Sequence, residues 1–417
     1  MQKSEGIDVT FEEKLEQYAE LAVKVGVNIQ KGQYLLINTT IDTLDFTRLV
    51  VKKAYEAGAG RVHVNFTDEE ITRAFYEHGA EEEFSKFPKW IVAQRDECIE
   101  RKGALLWIDS EDPDLLSGIP VSRISAQQKA SGEALVNYRK AIMNDEIAWS
   151  IIAVPSKKWA KKVFPDLPEE KQVPALWEVI FKAVRIGEGD AVENWRKHLE
   201  NLETRAKKLN SKKYAKLHYK APGTDLTIEL PDKHIWCTGS SKTPEGVTFI
   251  ANMPTEEVYT LPSKFGVNGY VSNTKPLVYQ GNIIDEFTLT FEKGKIVEAH
   301  AKVGNELLQE LIKTDQGSAY LGEVALVPHE SPISLSNILY YNTLFDENAS
   351  NHLAIGEAYP TCFEGGRDLE EGQLESLGIN VSITHEDFMI GSSEMDIDGI
   401  LPDGTREPIF RNGNWAF

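Results

Sequence analysis

Cysteine is scarce. The 417-residue chain holds three (Cys98, Cys237 and Cys362), odd in number, far apart and never in a C-x-x-C pair. That argues against a disulfide framework or a thiolate zinc site and for a reducing, cytoplasmic setting. Long apolar runs are missing as well. No stretch is long enough to span a bilayer, and the opening "MQKSEGIDVTFEEKLEQ" carries no apolar h-region, so neither a membrane anchor nor a secretory leader is expected. Positive charge is in deficit. Lys+Arg number 45 against 65 Asp+Glu, a net charge of −20 that repels nucleic acid and anionic membranes. The deficit falls mainly on one half: from Lys213 onward there are 14 basic and 30 acidic residues, against 31 and 35 before it. Such a field either keeps a surface soluble or draws in metal cations and positively charged substrates.

Several catalytic signatures are absent too. There is no P-loop and no G-x-S-x-G nucleophile elbow. "AGAGRV" (57–62) follows a helical pattern and precedes a strand, the wrong order for a dinucleotide fingerprint; it reads as a helix stop. His329-Glu330 and His385-Glu386 begin like H-E-x-x-H, but neither has a second histidine three residues after its Glu, which excludes a helical zincin site. "EMDIDG" (394–399) lacks the spacing and the closing Glu of a calcium loop.

What is present falls into two textures. In the first, "FEEKLEQYAELAVKVG", "TLDFTRLVVKKAYEAG" and "DEEITRAFYEHG" repeat apolar residues at helical spacing, while "QYLLINTT", "RVHVNF", "ALLWIDS" and "AWSIIAVP" are short buried strands. This alternation predicts an α/β domain with a largely parallel, helix-covered sheet. Between Pro155 and Pro174 the chain turns Pro- and Lys-rich and reads as a connector. It leads to a long polar helix, "DAVENWRKHLENLETRAKKLN", placed at the domain junction. Beyond it, "KLHYKAPGTDLTIEL" and "DEFTLTFEKGKIVEAHA" read as hairpins and "NELLQELIKTDQG" as a helix, a sheet-rich α+β domain. The expected division is 1–210 and 211–417.

The chemistry concentrates in four stretches of the second half: "NMPTEEVYT" (252–260), "YLGEVALVP" (320–328), "NHLAIGEAYP" (351–360) and "THEDFMIG" (384–391). Each sets hard-metal ligand types in an apolar frame. Glu323 stands just ahead of Val324–Val327, a carboxylate entering a buried segment, where it needs a cation or neutralisation. If 382–391 is a strand, His385 and Asp387 share one face and Glu386 takes the other.

In order and spacing these four stretches resemble the thermophilic aminopeptidase family of dinuclear metallopeptidases, the aminopeptidase T, II and S group. The resemblance rests on "N-x-P-T-x-E-V", "L-G-E-V-A-L-V", "N-H-x-A-x-G-x-A-Y" and "H-x-D-F-M-I-G" and extends, less distinctively, along the whole chain. It implies a two-domain, homodimeric hydrolase with two divalent ions in the C-terminal domain. The implied ligands are Glu257, Glu323, His352, His385 and Asp387, with Tyr359 beside them. Carboxylates and imidazoles suit zinc, cobalt or manganese. Five side-chain ligands are too many for one catalytic ion but fit two, with Glu323 as the expected bridge and His352 and His385 on opposite ions. Glu256, next to a ligand, is the candidate general base, and Tyr359 a donor to the oxyanion. The expected activity is release of single N-terminal residues from peptides with a free N-terminus. The alternative is a non-haem Fe(II) ring-cleaving dioxygenase, for which His352, His385 and Asp387 alone would make the two-His-one-carboxylate triad; such an enzyme has no need of Glu257 and Glu323.

Overall fold

A computed structural model describes residues 9–187, 189–279 and 281–417. The chain divides into two compact units. One takes in the described residues up to Leu199 together with Ser240–Pro254; the other comprises Glu200–Gly239 and Thr255–Phe417.

The first unit is built on four parallel strands, β1 (Tyr34–Thr40), β2 (Arg61–Thr67), β3 (Ala104–Asp109) and β4 (Ala148–Ala153), in the order β2-β1-β3-β4. The four apolar runs of the sequence are these strands. The predicted helices occupy Phe11–Leu21, Leu44–Glu56 and Glu69–His78. The first starts at Thr10, whose hydroxyl accepts from Glu13 N while the Glu13 carboxylate accepts from Thr10 N, a reciprocal cap that satisfies two otherwise orphaned N–H groups.

The expected connector between Pro155 and Pro174 is a correction. It contains the helix Lys157–Val163 and the start of the helix Glu169–Ala183. Ser156 caps the first, accepting from Trp159 N at 3.1 Å, and Trp159 is fully buried. Pro174 lies inside the second, at a position that costs a helix about 3 kcal/mol. Burial of Leu176, Ile180 and Phe181 offsets that loss. Proline content misled because tertiary packing outweighs local propensity here.

The second unit is antiparallel and sheet-rich. A nine-stranded sheet contains both predicted hairpins. Lys216–Ala221 and Thr224–Glu229 turn at Pro222-Gly223; Asn282–Glu292 and Lys295–Val303 turn at Lys293-Gly294, both with positive φ (49° and 81°), as a two-residue turn between right-twisted strands requires. A five-stranded sheet follows the spatial order His385–Met389, His352–Gly356, Leu321–Leu326, Val258–Thr260, Cys237–Thr238. Val324, Leu326, Leu353, Ile355 and Phe388 join Leu226, Ile228, Phe287 and Leu289 of the larger sheet in one core. The core side of the small sheet is thereby fixed, and so is the side left for chemistry.

Candidate metal centre

Along the three strands Leu321–Leu326, His352–Gly356 and His385–Met389, side chains alternate between the two faces. The core takes Val324, Leu326, Leu353, Ile355 and Phe388. The opposite face therefore presents Glu323, Ala325, His352, Ala354, Gly356, His385 and Asp387. Register puts Glu323, Ala354 and Asp387 in one row across the strands, with Ala325 opposite His352 and Gly356 opposite His385. An irregularity between Leu321 and Glu323 sets this alignment. The small residues Ala325, Ala354 and Gly356 leave open the space that the acids and imidazoles enclose.

The fifth predicted ligand arrives from outside these strands. The segment before Val258–Thr260 buries both Glu256 and Glu257. Asn348 Oδ1 accepts from Glu256 N at 2.7 Å and Asn348 Nδ2 donates to Leu344 O at 3.0 Å, which ties this segment to the turn ahead of His352. Glu257 Oε2 lies 3.0 Å from His352 Nε2. Glu323 reaches both histidines: Oε1 is 3.5 Å from His352 Nε2 and Oε2 is 3.7 Å from His385 Nε2. Asp387 Oδ1 is 3.6 Å from His385 Nε2. The structure thus brings together all five residues, in two groups able to hold an ion, Glu257–Glu323–His352 and Glu323–His385–Asp387, with Glu323 common to both.

The residues fit divalent metal. Each imidazole is oriented by a backbone carbonyl, Ser350 O at 3.1 Å from His352 Nδ1 and Glu357 O at 2.7 Å from His385 Nδ1. That places the proton on Nδ1 and turns Nε2 toward the carboxylates, the arrangement of a ligating histidine. Glu257 Oε2 and Asp387 Oδ1 are buried, facing the imidazole Nε2 atoms of His352 and His385 at 3.0 and 3.6 Å, and among the described residues a neutral Nδ1-protonated ring gives neither oxygen a donor. In the metal-free cluster protons stand in for cations. Burial works against a charged His385 ring, but Asp387 and Glu323 outweigh it and push the ring up to about 10. Burial likewise lifts the Glu323 carboxyl to about 7, against the pull of His352.

Tyr359 packs on His385 with ring centroids 4.8 Å apart. Burial and the nearby carboxylates Glu323 and Asp387 hold its phenol well above the ordinary range, so it stays a donor. Two residues at the site escape the sequence reading. Tyr259, in register with Ala325, packs edge-on against Tyr359 at 6.2 Å. Glu347 is buried, and its carboxyl is raised by that burial and by Asp387 and Glu257. It opens the short 3₁₀ helix Glu347–Ala349 before His352, too brief for any helical period to mark it; its signal in the sequence is its place in the acidic run "FDENASNH".

Residues 11–415 match the thermophilic metalloprotease (M29) family. The chain belongs to that family. It is 55% identical over 98% of its length to aminopeptidase AmpS of Bacillus subtilis (strain 168), the whole of which is covered. It is 50% identical to aminopeptidase 2 of Geobacillus stearothermophilus, covering 98% of each chain. The solved structure of wild-type AmpT from Thermus thermophilus matches with a TM-score of 0.92 at 38% identity, over 98% of this chain and all of that one. The chain is accordingly a metal-dependent aminopeptidase, a hydrolase of peptides, with the α/β plus sheet-rich architecture of AmpT. Its relatives give no support to the dioxygenase alternative. Among the described residues no helix is long and apolar enough to cross a membrane.

Proposed function

We propose that this aminopeptidase holds two divalent ions, one on Glu257 and His352, the other on His385 and Asp387, with Glu323 shared between them. The observation that carries the reading is the pair of ligand groups with Glu323 in common, one of its oxygens toward each histidine. Zinc, cobalt or manganese suits this all-N/O set. Bound there, such ions supply a lowered pKa for water and polarisation of the scissile carbonyl. The chain's own residues do the remaining work. Glu256 takes the proton of the attacking water and returns it to the leaving amine. Tyr359, kept protonated by burial, donates to the carbonyl oxygen as charge builds on it. We also infer a homodimeric, cytoplasmic enzyme whose catalytic residues lie within 211–417, acting on peptides with a free N-terminus and releasing one residue at a time.

The test is to strip the metal and assay aminoacyl-anilides and short peptides before and after adding Zn, Co, Mn or Fe singly, counting bound ions by elemental analysis. Recovery with about two ions per chain is expected, and Glu323→Gln should lose both metal and activity while keeping its fold. One tightly held ion in the active wild type overturns the dinuclear assignment.

A further inference from the structure

The parallel sheet of the first unit carries a second concentration of polar groups that the peptidase reading leaves unused. Register sets Asn65 of β2, Asn38 of β1 and Trp107 of β3 in one row. Gln94, from the helix Lys89–Glu100, exchanges hydrogen bonds with Asn65 at 2.6 and 3.1 Å, and Asn65 donates to Asn38 Oδ1 at 3.0 Å. One residue on, the Arg95 guanidinium lies against two rings, 5.4 Å from the centroid of Trp107 and 5.2 Å from that of Tyr138, on the helix Val136–Met143.

Arg95 Nε and Nη1 are buried, and among the described residues neither has a hydrogen-bond partner; the same is true of Asn38 Nδ2 and Tyr138 Oη. No carboxylate pairs with Arg95 among those residues. All four atoms can donate. Among the described residues this face offers those donors no acceptor carrying negative charge, and a half-buried guanidinium, which stays ionised, is costly to hold without a counter-charge. The place has a topological logic as well. In the order β2-β1-β3-β4 the chain reverses its direction of travel across the sheet between β1 and β3, and parallel sheets bind ligands near the carboxyl ends of the strands at that point. Asn38 and Trp107 each stand two residues before the end of their strand.

We propose that Arg95, Asn38 and Tyr138 form a binding site for a monocarboxylate, with Trp107 and Tyr138 flanking its apolar part. One guanidinium balances one negative charge, so a phosphate dianion would be left half-compensated. Among the described residues no carboxylate pairs with Arg95, so an α-ammonium beside the bound carboxylate would have no acidic partner held there, which disfavours a free amino acid. A peptide C-terminus and a simple organic acid share the chemistry that remains.

The experiment is calorimetric titration of the metal-loaded protein with N-acetyl-Leu-Leu, benzoate, N-acetyl-leucinamide and inorganic phosphate, each alone. Saturable binding of at least one carboxylate is expected, at least tenfold tighter than the amide or phosphate, and the tighter of the two acids names the source. Arg95→Gln should weaken it at least tenfold and Tyr138→Phe, which keeps the ring, severalfold. Tyr138→Phe carries the test if Arg95→Gln does not fold. Equal binding of the amide, tighter binding of phosphate, no carboxylate binding, or carboxylate binding unchanged in the variants (as for coordination at the metal centre) would each overturn the proposal.

Discussion

The neighbouring glutamates give the proposed division of labour its sharpest test. Glu257 approaches His352 to 3.0 Å, whereas Glu256 is held through its backbone N–H by Asn348. If Glu257 is a ligand and Glu256 the base, Glu257→Gln lowers metal occupancy together with rate. Glu256→Gln keeps both ions yet loses roughly 10²–10⁴-fold in kcat, the usual loss of a general base. Metal content and kcat of the purified variants at saturating metal decide it; near-wild-type kcat in Glu256→Gln hands proton transfer to another group. The imidazoles make a second prediction. Without metal, His385 is pushed up to about 10 and Glu323 to about 7, so at neutral pH the cluster carries protons that ligation must expel. Because a raised pKa keeps the proton on up to that pH, metal affinity should rise with pH through neutrality. Titrations in buffers of different ionisation enthalpy should show net proton release; a pH-independent affinity contradicts it.

At the scale of elements, the outer strand His385–Met389 carries two of the proposed ligands, and Gly356 governs how closely it approaches. Gly356 has φ of 108°, and a Cβ there would lie 2.1 Å from Thr384 O, the carbonyl just before His385. Gly356→Ala should therefore cost on the order of 1–3 kcal/mol in backbone strain and displace the His385–Asp387 half of the site. Thermal unfolding and metal stoichiometry check this together, and a variant with wild-type melting and two ions refutes it. Strands also mark what could be read without coordinates. Period-two alternation showed that His385 and Asp387 share a face, opposite the one from which Phe388 enters the core. Glu323 was legible as a carboxylate leading into an apolar run. Tyr259 and Glu347 were not. The first reaches the site through pairing with a strand more than sixty residues away, and the second from a turn held by Asn348 and Asp346, contacts that no local period records. The helices inside Pro155–Pro174 failed for a related reason: buried Trp159, Leu176 and Phe181 outweigh local proline content.

The molecule as a whole concentrates acid where the chemistry is, with 30 acidic against 14 basic residues from Lys213 onward. Both the ions and the ammonium of a free N-terminus are cations, so the same field serves both. Two consequences separate long-range attraction from local recognition of the amine. Acetylating the N-terminus removes charge and donors together, and N-acetylated peptides should resist cleavage at any ionic strength. For unblocked peptides, raising salt from about 0.02 to 0.5 M shortens the screening length to a few ångströms. That should lower kcat/KM severalfold through association while leaving kcat nearly constant, because the buried contacts among Glu257, Glu323 and the histidines lie beyond the reach of bulk ions. Steady-state assays on one peptide and its acetylated twin across that salt range measure both. Equal cleavage of the twins removes the α-amine from recognition. A kcat that falls in parallel with kcat/KM instead places the salt effect at the metal centre and leaves the acidic surface no part in capture.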